Sequence, residues 1–135
     1  MTITAALTDQ DKATLRTAAY GAVSLMSATG GAHKSSTAAS IALTSATGLA
    51  GHVLASAKAK DIKLKGKNVA ELADQVLPAL SAAVQLLEQQ DPAEAENFRR
   101  IVLVAIDAAD HARKGQAGPI AAEMARKITA ALGLA

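Results

Sequence analysis

Apolar positions recur along this chain at the three-to-four-residue spacing of helices and do not form the alternating runs of strands. Over 9–28, Leu15, Ala18, Ala19, Ala22, Leu25 and Met26 fall on one face. Over 69–90, Val69, Leu72, Ala73, Val76, Leu80, Ala83, Val84 and Leu87 do the same, with Glu71, Asp74, Gln85 and Gln89 opposite. The stretch 92–114 turns Phe98, Ile101, Val102, Ala105, Ile106, Ala109 and Ala112 inward, and 119–132 turns in Ile120, Met124, Ile128, Ala131 and Leu132. The segment 35–57 is different. It has no Asp, Glu, Lys or Arg, so it lacks the charged stripe of a surface helix. Its Leu43, Ala50, Val53 and Leu54 share a side, opposite Ile41, His52 and Ala55. The pattern predicts an all-α, single-domain up-and-down bundle of about five helices over residues 1–135, with 35–57 at its centre.

Start and stop signals sharpen these boundaries. Thr8 and Asp11 imitate a capping box, and Asn68 with Glu71 makes another. Asp91-Pro92-Ala93-Glu94 places a cap, a first-turn proline and an early acid in succession, so the preceding turn is very tight. Thr29-Gly30-Gly31, Gly115 and Gly133 end helices. Pro78 falls on an outer face, where water can satisfy the carbonyl it strands, and predicts a kink instead of a break. Gly48 and Gly51 threaten to split 35–57, with His52 just beyond the split.

Composition narrows the chemistry. Half the 135 residues are hydrophobic but only 1% are aromatic, and about a quarter are alanine. Such a core suits closely packed helices. The absence of cysteine excludes disulfides, thiolate metal sites and Cys nucleophiles, and agrees with a cytoplasmic location. The first residues carry no basic region, so no signal peptide is expected. Residues 35–57 are long enough to span a bilayer, but Ser, Thr, Gly and His are too frequent and no aromatic belt flanks them. No membrane association is expected.

The net charge is only +2, yet it is unevenly spread. Lys58, Lys60, Lys63, Lys65 and Lys67 crowd the loop 58–67, a candidate for binding an anion or nucleic acid. No aromatic or arginine interleaves them to stack on bases, and exposed lysine loops also serve simply as solvated turns. Asp107 and His111 stand at i,i+4, a spacing that can chelate a divalent ion, with His52 and Glu123 as further ligands. The same pair also reads as a surface ion pair, and His52 as a hydrogen-bonded histidine. The Gly30–Ser35 run lacks both the spacing and the preceding strand of a phosphate loop. No nucleophile–base constellation stands out, so neither catalysis nor a cofactor is expected. The segment AIDAADHARKG, the later Glu123 and the ending ITAALGL resemble helical domains of the tellurite-resistance type, which carry an Asp-Gly loop followed by Glu on the next helix. Here His111 stands where that glycine would be and Glu123 comes late, so the resemblance transfers no site.

The reading that absorbs most of these features is a non-enzymatic interaction module forming a homodimer. Its contact surface would be the uncharged faces of 9–28 and 35–57, or Leu103 and Val104 on the outside of 92–114. Anion binding through 58–67 and a metal or small-ligand site around His52 and His111 are the alternatives.

Overall fold

The computed structural model describes residues 7–30, 41, 43, 47–55, 68–112 and 119–134. Five helices run through them: α1 (Asp9–Gly30), α2 (Gly48–Ala55), α3 (Val69–Gln90), α4 (Pro92–Ala112) and α5 (Pro119–Ala131). The fold is all-α, and no strand occurs among the described residues.

Three helix starts follow local sequence closely. The Thr8 hydroxyl accepts from the Asp11 N–H at 3.0 Å, while Asp11 accepts from the Thr8 N–H at 3.1 Å. Asn68 Oδ1 accepts from the Glu71 N–H at 2.9 Å. Asp91 alone joins α3 to α4. Its N–H donates to the Leu87 carbonyl, closing α3, and its carboxylate accepts from the Ala93 N–H, opening α4. A one-residue connection forces the two helices into antiparallel neighbours. At the far end of α5, Gly133 takes φ 82°, and the N–H groups of Gly133 and Leu134 donate back to Ala130 and Thr129. That is a Schellman ending, which a glycine at this position makes inexpensive.

Among the described helices α1 is the central one, touching all four others and α3 most extensively. Leu15, Ala18, Ala19, Ala22, Leu25 and Met26 are all buried, as their spacing predicts. No residue from Asp11 to Met26 is fully exposed, which explains why the outer face of this helix carries so little charge. The core continues through Leu43, Val53, Leu54, Val76, Leu80, Leu87, Phe98, Ile128 and Leu132. The one phenylalanine is completely buried. Helix α3 continues through the exposed Pro78 to Gln90.

Two expectations need correction. The segment 35–57 is not one unbroken helix: Thr47 is non-helical, Gly48 takes φ 79°, and α2 starts there as a separate piece. Ile120, expected to face inward, is 68% exposed. It lies in the first turn of α5 beside the half-buried Val69 and Ala73 of α3, at the periphery of the core.

Candidate functional site

Eight-residue helices are marginal alone, and α2 is held at both ends by side chains from elsewhere. At its start, Glu94 Oε1 accepts from the Ala50 N–H at 3.0 Å, and Asn97 Nδ2 donates to the Thr47 carbonyl at 2.8 Å. At its end, Arg16 Nε donates to the Val53 carbonyl at 3.1 Å and the Tyr20 hydroxyl to the Leu54 carbonyl at 2.7 Å. Carboxylate at the N-terminus and guanidinium at the C-terminus match the helix dipole. Burial raises the Tyr20 pKa, and nearby Arg16 offsets this in part. Thr17, Tyr20 and Ser24 are half-buried, so this uncharged face of α1 is taken up largely within the chain.

Arg99 performs a similar task on α5. Its Nε donates to the Leu132 carbonyl at 2.8 Å, while its other nitrogens pair with Glu88 at 2.9 Å and Glu96 at 3.0 Å. These carboxylates raise its pKa further. Ser81 adds a hydrogen bond to the Ala131 carbonyl. Since Ser81 meets the end of α5 and Val69–Ala73 lie beside its start, α3 and α5 run parallel.

Two surfaces among the described residues set an exposed apolar side chain beside charged ones. The first is the outer stripe of α4, where Glu96, Arg100, Val104 and Asp107 are exposed. Val104 is 52% exposed at the middle of this stripe, and its neighbour Leu103 is half-buried against the core. Glu96 is engaged by Arg99, whereas neither Arg100 nor Asp107 has an ion-pair partner among the described residues. The second is a groove of about 500 Å³ between the first turns of α3 and α5. Val69, Ala73, Ile120 and Met124 line it, with Glu123 and Lys127 at its polar edge. Arg126 hydrogen-bonds Glu123 and, with a smaller contribution from Lys127, lowers its pKa, so the Lys127 ammonium stands on that edge beside an ionised carboxylate.

The predicted metal ligands are spread over three helices, with Asp107 and His111 both on α4. His52 is exposed on α2, whose start is anchored at Glu94 and Asn97, ten or more residues before Asp107 along α4. Asp107 is exposed on α4, and Glu123 lies in the α3–α5 groove. The His111 side chain lies outside the described residues. Among the described residues no group of three or more metal-ligating side chains is assembled. Lys58, Lys60, Lys63, Lys65 and Lys67 also lie outside them. Among the described residues no helix is long and apolar enough to cross a membrane.

The groove and the Glu94–Asn97 anchor both escaped the sequence reading. The first depends on α3 and α5 running side by side. The second joins residues 44 to 50 positions apart and has no local signature. Comparison with known protein families, curated proteins and solved structures finds no match for this chain.

Proposed function

We propose that this chain is a helical-bundle interaction module that works as a homodimer through the outer stripe of α4, and not by catalysis. The observation that carries this reading is Val104, a large apolar side chain held 52% exposed at mid-helix beside Leu103. An isolated exposed apolar residue is ordinary. This one sits in a row flanked by unpaired opposite charges, the arrangement of an apolar contact with a polar rim. One helix face buries little area, so the dimer is weak and concentration-dependent. Sedimentation equilibrium is expected to show a monomer–dimer equilibrium, shifted to monomer in Val104→Asp without loss of helical circular dichroism. A wild-type chain that stays monomeric at about 1 mM, a Kd worth only about 4 kcal/mol, sinks the reading.

A second reading, a small-ligand site, is supported by the α3–α5 groove. Its volume falls within the roughly 300–1,000 Å³ of small-molecule sites, its lining is apolar, and Lys127 offers an ammonium at the edge. The matching ligand is an apolar molecule with one carboxylate. Decanoate should raise the melting temperature of the wild type but not of Ile120→Asp. Equal responses from both proteins remove this reading.

A further inference from the structure

Resting on the dimer reading above, we propose that two copies pair α4 against α4 in one register: antiparallel, about a two-fold axis passing between Leu103 and Val104. In this arrangement residues equidistant from the axis face each other. Arg100 and Asp107 lie equally far to either side of it, about 5 Å each way along the helix. Each copy's Arg100 therefore faces the partner's Asp107, twice over, around a central Leu103–Val104 contact.

The stripe is its own complement, and this is what selects a second copy of the chain as the occupant. Read along α4 it runs cation, apolar pair, anion: Arg100, Leu103 with Val104, Asp107. Rotation by a half-turn maps that order onto its complement, as an isologous interface requires. A parallel pairing in the same register would instead set Arg100 against Arg100 and Asp107 against Asp107. Neither charge is engaged inside the described chain, so forming the intermolecular pairs breaks no intramolecular one. Nearby Arg99 is already committed to Glu88, Glu96 and the Leu132 carbonyl, which leaves Arg100 as the arginine free to reach outward. Exposed positions 96, 100, 104 and 107, with half-buried Leu103, follow the three-and-four spacing of a helix-pair seam. Ala108, half-buried beside it, is small enough to let the backbones approach.

The register is tested by charge reversal and mixing, followed by sedimentation equilibrium at low salt. Arg100→Asp and Asp107→Arg each turn both attractions into repulsions, and each alone should weaken the dimer about tenfold. An equimolar mixture should recover it, because in the heterodimer the new Asp at 100 of one chain meets the new Arg at 107 of the other, and the remaining native pair is intact. The chain has no cysteine, so Val104→Cys gives a single-site protein. A short bismaleimide should join two copies at that position but not at Gln89→Cys, an exposed position of α3. A wild-type dimer indifferent to both reversals, or one that mixing fails to restore, overturns the register and leaves the dimer standing. A wild-type chain without self-association overturns both.

Discussion

Helices α2 and α3 reach the same regular structure by opposite routes. Helix α3 is specified by its own residues: Asn68 caps it, an apolar face runs its length, and Asp91 closes it. Helix α2 is eight residues long, and its ends are satisfied by Glu94 and Asn97 from α4 and by Arg16 and Tyr20 from α1. One helix is local information made visible. The other is a product of assembly, and disturbing its remote partners should melt it selectively.

Gly48 gives the largest expected effect on this contrast. A Cβ there would lie 2.5 Å from Asn97 Nδ2, at a backbone φ of 79° that side chains rarely adopt. Gly48→Ala should destabilise the chain by about 2–3 kcal/mol, from the left-handed backbone and the displaced Asn97 bond together. Gly133→Ala is the control. Its φ of 82° is nearly the same, but the nearest atom is 3.8 Å away, so only the backbone cost of about 1 kcal/mol applies. Equal losses in urea denaturation would mean that Gly48 is not a close crossing of α4.

Pro78 tests the self-sufficiency of α3 in the other direction. It is exposed inside a continuous helix, where proline is about 3 kcal/mol worse than alanine, offset partly by its stiffening of the unfolded chain. Pro78→Ala should raise stability by about 1–2 kcal/mol and lift the melting temperature. A loss of stability would mean that packing of the proline ring in the groove it lines with Gln10, Thr14 and Thr17 of α1 outweighs its cost to the helix.

Capping gives a smaller effect with a spatial signature. Asn68→Ala and Glu94→Ala should each cost about 1 kcal/mol. In Asn68→Ala the added hydrogen exchange should stay in the first turn of α3. In Glu94→Ala it should appear in α2, because Ala50 loses its acceptor. Exchange confined to α4 in the second variant would contradict the clamp.

The same contrast explains what was legible in the sequence. Periodicity placed the buried faces of α1 and α3, since apolar spacing and burial are the same fact seen twice. Caps were readable wherever the partner lay three residues away, as at Thr8 with Asp11 and Asn68 with Glu71. The glycine at 48 marked a possible break, but what fixes the chain there lies across the fold on α4. Ile120 was misplaced for a related reason: its period is that of a core position, but it sits on the first turn of α5, at the edge of the core. The neutral face of α1, expected to meet a second copy, is half-buried at Thr17, Tyr20 and Ser24 within the chain itself. For the function, the stripe of α4 was visible as Leu103 and Val104. That Arg100 and Asp107 lack ion-pair partners among the described residues required the fold.

Tyr20 offers the smallest effect and the cleanest readout. It is the only tyrosine, and tryptophan is absent, so tyrosinate absorbance reports this side chain alone. Its hydroxyl donates to the Leu54 carbonyl at the end of α2, and Tyr20→Phe keeps the ring while removing that donor. The expected loss is about 0.5–1.5 kcal/mol, felt in α2 before the rest. Burial raises its folded pKa above the ordinary value of about 10, although Arg16 pulls the other way. The unfolded chain therefore loses this proton first. The stabilisation that Tyr20 gives is complete below about pH 10 and declines as pH rises through the higher folded value. Lysines also titrate there, so the discriminating quantity is the difference between wild type and Tyr20→Phe, which should shrink on the alkaline side. A folded-state absorbance titration at or below pH 10 would show that this hydroxyl is not held against the end of α2.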